Sequence, residues 1–302
     1  RFDEAAQVID QATAQDKVSI GMHGAIYLLA YLRNDSNTIK QQTDWASGKP
    51  AEAAVARLQA TASFHSGRLT EAEQIRKRAV DVALGRNQKE LAARLQLDGA
   101  FSEGTIGNCD GASQAANTAL TLMKGKEQQS QASVVFAFCG DAAKAEAMMD
   151  DLAKRYPDDT EINDVTLPIV QALAELNKSP DKTIELLESV RRYDRGEFAM
   201  LWPNYLRGLA LMKLNRNQEA IKEFQQIVEN RALTFFSGIH PVSQLQLARA
   251  WAAAAREGDA AAKENALVSA RKAYQDFLAL WKDADANNAL LQQAKIEYSK
   301  LN

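Results

Sequence analysis

Three histidines, His23, His65 and His240, and two cysteines, Cys109 and Cys139, are the side chains in this 302-residue chain best suited to metal, acid–base or thiol chemistry. Zinc held on a helix needs two imidazoles four residues apart around a glutamate, and no histidine here stands in that spacing. Ordinary helix or loop histidines are expected. No G-x-G-x-x-G run, phosphate-loop lysine or kinase catalytic loop is present. Gly104, Gly107 and Gly111 read as punctuation in the loop SEGTIGNCDG. The abundant carboxylates fall in solvated helical patterns such as Glu219–Lys222–Glu223. No catalytic residue, metal ligand or cofactor site is therefore expected. The cysteines lie 30 residues apart. Two separate, buried or half-buried thiols are expected. A bridge is the alternative, because equivalent turns of stacked repeats are neighbours, and it requires Cα atoms within about 7 Å. Asp110 and Asp141 give these thiols the wrong neighbours for a reactive thiolate.

Composition narrows the class further. The chain is 46% hydrophobic and 25% charged, as in ordinary globular proteins. A net charge of −3 and a pI near 5.8 argue against a nucleic-acid-binding surface. No apolar run approaches the roughly 18 residues of a membrane span. Only six prolines and fifteen glycines interrupt the chain, which suits dense helix.

The stretch WPNYLRGLALMKLNRNQEAIKEFQQIV, 202–228, organises the rest. It reads as two amphipathic helices joined by a turn. Small residues at Gly208 and Ala220 let the helices approach, and Phe224 fills the space behind. This is the spacing of a tetratricopeptide (TPR) unit of about 34 residues. Equivalent second-helix anchors are Ala5, Thr38, Ala72, Ala112, Ala145, Thr183, Ala220 and Ala270, at intervals of 33, 34, 40, 33, 38, 37 and 50. Repeats of this kind cannot bury their apolar faces alone and must stack. The expected fold is therefore all-α: a right-handed TPR superhelix, or α-solenoid, spanning 1–302 as one unit of about seven helix pairs. Residues 1–15 form an orphan second helix. The pairs run 18–50, 51–84, 88–124, 127–157, 160–195, 198–235 and 241–281, and a capping helix 287–301 follows. Asp181 is a candidate N-cap. Pro241 suits a first turn, and a charged insertion around 258–265 precedes the last long helix. Because RFDEA resembles the start of a second helix, the chain is expected to be a piece of a longer protein.

In such a superhelix the first helix of each pair lines the concave face. Its inward positions give the candidate partner-binding groove: Tyr27, Tyr31, Arg57, Phe64, Arg94, Phe101, Phe138, Trp202, Tyr205, Met212, Lys213 and Arg249, with His23 and His65 beside them. Aromatic and arginine residues are the types enriched at binding hot spots. The expected partner is a protein or peptide, and a homo-oligomer is a further possibility. The lysine–asparagine pair of a carboxylate clamp is absent from the inward positions, for instance His23, Arg57 and Leu97, so capture of an acidic C-terminus by that route is not expected. A closed pocket would favour a small-molecule sensor instead; a large apolar patch on the convex face or a terminal helix would favour an oligomerisation element.

Beyond the repeat, RFDEA (1–5), QQTDWASGKP (41–50), SGRLTEA (66–72), AKAEAMMDDLAKRYPDDT (143–160), LQLARAW (245–251) and AYQDFLALWKDADANNALLQQAKIEYSKL (273–301) are similar to the C-terminal TPR region of bacterial eukaryotic-like serine/threonine protein kinases. Related regions follow winged-helix domains in some membrane-anchored transcriptional regulators. The resemblance implies a non-catalytic sensor or docking region of a signalling protein. It would lie beyond a single membrane helix outside the cytoplasm, or otherwise in the cytoplasm. It supplies no functional residues.

Overall fold

The computed structural model describes residues 2–15, 17–257 and 259–301. The expected helix start at Arg1 and the expected insertion's Gly258 lie outside the described residues. Among those residues there are sixteen α-helices and no strand. They are α1 (Phe2–Ala14), α2 (Ile20–Arg33), α3 (Ser36–Ala46), α4 (Glu52–His65), α5 (Leu69–Gly85), α6 (Lys89–Thr105), α7 (Cys109–Leu122), α8 (Lys126–Phe138) and α9 (Ala142–Arg155). A π-helical turn, Glu161–Thr166, leads into α10 (Leu167–Glu175). Then come α11 (Pro180–Glu188), a 3₁₀ turn at Arg191–Tyr193, α12 (Trp202–Lys213), α13 (Asn217–Glu229), α14 (Ile239–Ala254), α15 (Ala260–Leu280) and α16 (Ala289–Ser299).

Local chemistry sets many of these boundaries. Ser19, Asp35, Asn108, Asp141, Asp259 and Asn288 each accept a backbone N–H in the first turn that follows, satisfying a donor that the helix leaves open. Within the pairs, close approach follows the small-residue pattern. A Cβ added at Gly208 would stand 2.6 Å from the Phe224 ring, so α12 and α13 can meet only with glycine there. Ala220 and Phe224 are fully buried on the facing helix.

The stacking is that of a solenoid. The first helices form a continuous inner row in which α2 touches α4, α4 touches α6, and the row continues through α8, α10, α12 and α14. The superhelix also curls far enough to meet itself. Helix α14 packs against α6, four units back. Trp281, at the end of α15, is buried and donates its Nε1–H to His65 O at 3.2 Å. Asp285 accepts from both the backbone N and the hydroxyl of Thr70 at 2.8 Å, and its own N–H donates to Gly67 O at 3.1 Å. Gly67, at φ +73°, is needed twice over: its backbone is left-handed, and a Cβ would stand 2.5 Å from Ala284 Cβ.

Several local expectations are corrected. The glycine-rich stretch 102–111 is not a long loop. Helix α6 runs through Gly104 to Thr105 and α7 starts at Cys109, because Gly104 packs beside Ala112, Phe138 and Cys139. The charged insertion is helical from Ala260 onward and lengthens α15 to 21 residues. Helix α11 starts at Pro180 with Ser179 before it, so Asp181 lies inside the first turn and is not the cap. The two cysteines are joined: Cys109 opens α7, Cys139 follows α8, and this short-turned stacking leaves their Cα atoms 5.2 Å apart. On the capping helix Gln292, Gln293, Lys295 and Lys300 are exposed, whereas Glu297 turns back to Arg249 and Tyr274. Helix α1 buries none of its residues and is tied to α2 through Asp3 and Arg33 at 2.5 Å.

Candidate binding cavity on the concave face

The inner row carries the expected side chains, but the structure divides them among five settings. Tyr27 and Tyr205 are core residues, 2% and 3% exposed. Burial pushes both phenols up, that of Tyr205 to about 12. Truncating Tyr205 would open the core between Trp202 and Phe224, so it is unsuited to probing a surface. Arg249 is taken by Glu297 in a two-bond pair at 2.9 and 3.0 Å. Phe138, Met212 and Lys213 share a separate hollow of about 540 Å³ between α8, α10 and α12.

The N-terminal part of the groove is occupied by the chain itself. The segment between α13 and α14 crosses it. Phe235 meets the Tyr31 ring edge-on at 5.0 Å, and the Arg57 guanidinium lies 4.0 Å over the Phe236 ring. Gly238 passes so close to Phe64 that an added Cβ would stand 3.6 Å from its ring. Arg231 reaches Leu32 O at 2.6 Å. Beneath this contact the His65 and His240 rings stack at 5.8 Å. Burial is the main cause that lowers His65 to about 3 and His240 to about 4, and the nearby Arg231 charge adds to it. His23 stacks on Trp45 and bonds Gln42 at 2.6 Å. Each histidine is packed against other rings, although His65 Nε2 and His240 Nδ1 are buried without a hydrogen-bond partner among the described residues. Among the described residues no group of three or more His, Cys, Asp or Glu side chains is placed to hold a metal, and no helix is long and apolar enough to cross a membrane.

The centre of the concave face remains hollow. Arg57, Arg94, Phe101 and Trp202 line a cavity of about 220 Å³ between α4, α6, α8, the π-turn and the loop before α12. Arg57 binds Asp98 through two bonds, 2.5 and 2.9 Å. Arg94 donates to both oxygens of Glu127 at 2.8 and 3.1 Å. Glu161 is 9% exposed and meets Lys126 at 3.1 Å. Burial raises its carboxyl, the lysine opposes that shift, and Asp159 and Glu127 add to it. The aromatic wall is Trp202, with Phe101 at 5.6 Å and Phe198 and Phe236 at the rim. The Trp202 indole N–H is buried without an acceptor among the described residues, a state that costs about 1–3 kcal/mol. Arg57, Arg94 and Phe236 also border a wider trough of about 910 Å³ along the start of α6, so the trough adjoins the cavity.

One wall of the cavity is an irregular loop held by a buried cation. Arg207 is fully buried. It donates to Asp194 at 2.5 and 3.3 Å, to Glu223 at 3.0 and 3.2 Å, and to Leu187 O at 3.2 Å. Leu201 N–H closes the loop on Asp194 O at 2.8 Å. Met200 and Leu201 are left-handed, at φ 42° and 61°, a conformation that costs non-glycine residues energy and is kept only where its surroundings impose it. The loop presents Glu197, Phe198 and Met200 to the cavity.

The repeat register does not single out Asp98, Glu127, Glu161, Glu197, Phe198 or Phe236. Asp98 was within reach of it, standing four residues after Arg94 and three before Phe101 on the same face of α6. Glu161 was not, because the π-turn changes the phase of the helix before α10.

No protein-family model and no curated protein matches the chain. Among solved structures, a tetratricopeptide repeat protein from Parabacteroides merdae ATCC 43184 is similar over 99% of this chain and 98% of its own, with a TM-score of 0.47 and 11% identity.

Proposed function

We propose that this chain is the interaction module of a larger signalling protein, without catalysis of its own, and that it docks a short peptide segment of a partner on its concave face. The resemblance of its phrases to the TPR region of bacterial serine/threonine kinases makes such a kinase the preferred parent. The single observation that carries the docking site is the central cavity with its adjoining trough, bordered by aromatic rings and partly buried ion pairs. Extended peptides suit such a surface: the trough takes backbone and the cavity takes one side chain. The N-terminal part of the groove is not available, since Phe235 and Phe236 already occupy it.

The test is a random-peptide display library panned on the immobilised chain. Sequence-related peptides should emerge, and Glu197→Lys and Phe198→Ala should each weaken them at least tenfold while leaving the melting curve in place. Phe198 is 55% exposed, so its truncation does not touch the core. Enriched peptides that bind both variants as well as the unaltered chain would contradict the site.

A further inference from the structure

The charges around the cavity do not balance. Arg57 and Arg94 each have a carboxylate partner, Asp98 and Glu127. Lys126, behind the wall, is shared by Asp159 at 2.7 Å and Glu161 at 3.1 Å. Glu197, at the rim, is exposed and pairs with no cation among the described residues. Three cations thus face five carboxylates. One of these, Glu161, is nine-tenths buried beside two other acids. The same cavity is lined by the aromatic rings of Trp202, Phe101 and Phe198. Aromatic faces and surplus carboxylates both attract an organic cation, and a desolvated setting strengthens the attraction. An anion would meet the same surplus as repulsion. The cavity volume is about 220 Å³. That suits one long side chain, not a folded partner.

We propose that the cavity is a specificity pocket for a basic side chain, lysine or arginine, of the docked peptide, with Glu161 and Glu197 as its counter-ions and Trp202 and Phe101 as its aromatic wall. Arg207 acts here as a positioning residue: it touches no ligand, and it fixes the loop that carries Glu197 and Phe198. This inference rests on the peptide-docking reading above and narrows it to one chemistry.

Three blocked tripeptides test it: acetyl-Gly-Arg-Gly-amide, the same peptide with neutral, isosteric citrulline, and the same peptide with glutamate. The readout is the indole N–H resonance of Trp202 in the ¹⁵N-labelled chain, assigned by its loss in Trp202→Phe. The arginine peptide should shift it saturably. The citrulline peptide should bind at least tenfold more weakly, and the glutamate peptide should not bind. Glu161→Gln should weaken the arginine peptide about fivefold or more; if that variant folds poorly, the exposed Glu197→Gln gives the same comparison with a smaller loss. Equal affinity for arginine and citrulline, or tighter binding of glutamate, overturns the proposal. So does a saturable response that leaves Trp202 unmoved. Library peptides that lack basic residues yet lose binding in Phe198→Ala would overturn this inference and leave the docking reading standing. An arginine peptide that binds here while the library yields nothing would keep the pocket and overturn the docking reading.

Discussion

Two stretches of one concave surface meet different ends in this molecule. The N-terminal stretch, on α2 and α4, and the central stretch, on α6, α8 and α12, were expected to present the same mixture of aromatics and arginines. The first is sealed by the chain's own Phe235 and Phe236 and by the seam around Trp281. The second is left with a cavity, walled by an irregular loop that Arg207 holds in place. A pattern of inward residues therefore states what could bind, while the closure of the superhelix decides what is still free to bind.

Substitutions should separate the two regions most clearly through stability. Trp281→Ala removes a buried indole and its hydrogen bond from the seam, and it should cost about 4 kcal/mol in urea denaturation. The matching truncation at the rim, Phe198→Ala, should stay within about 0.5 kcal/mol. Equal costs at the two positions would erase the distinction. Next in size is Arg207→Met, which leaves the largely buried acids Asp194 and Glu223 without their cation. A loss of roughly 3 kcal/mol is expected, together with weaker peptide binding, because the loop carrying Phe198 loses its brace.

A pH titration sharpens the contrast from the other side. Folded, His65 and His240 stay neutral down to about 3 and 4. Unfolded, they take up protons near pH 6.5. Below that pH the unfolded chain binds more protons, so the stability they contribute is complete above pH 6.5 and falls as pH drops towards 4. Between pH 7 and pH 5 each should remove about 2 kcal/mol, a slope that His240→Phe should roughly halve. Tyr31, whose hydroxyl lies 3.3 Å from His65 Nδ1, and the Arg231 cation over the Tyr31 ring belong to the same contact, so acid should loosen the seam first. A small effect is also expected at Arg94. Its pair with Glu127 is about one-third exposed on each side, so Arg94→Ala should change stability by about 1 kcal/mol or less and show itself mainly in peptide binding.

How much of this was legible in the sequence varies from residue to residue. Gly208, Ala220 and Phe224 announced the helix pair, because a 3.6-residue period and two small residues leave few other ways to bury that face. The inner row followed from the same register. Arg57, Arg94, Phe101 and Trp202 were among the residues it named, and all four line the cavity. Tyr205 and Tyr27 were named equally and are core, since inward positions near the pair interface become buried when neighbouring units stack. Phe235 and Phe236 lie in a stretch that reads only as a break. Nothing local says that the superhelix turns sharply enough to carry that break into the groove four units back. The left-handed backbone at Met200 and Leu201 was equally hidden, because only the tertiary brace at Arg207 makes it tolerable. The cysteine pairing needed the short turn before Cys109, which the glycines of that stretch had suggested would be long.

The most direct measurement is backbone hydrogen exchange of the full chain, free and with the arginine tripeptide bound. The account predicts that the region around Phe235–Gly238 is protected in the free chain and unchanged on binding, while added protection falls on α6, α8 and the loop 195–201. Free exchange around Phe235–Gly238, with peptide protection falling instead on α2, would contradict it: the N-terminal groove would then be open, and the central cavity would not be the binding site.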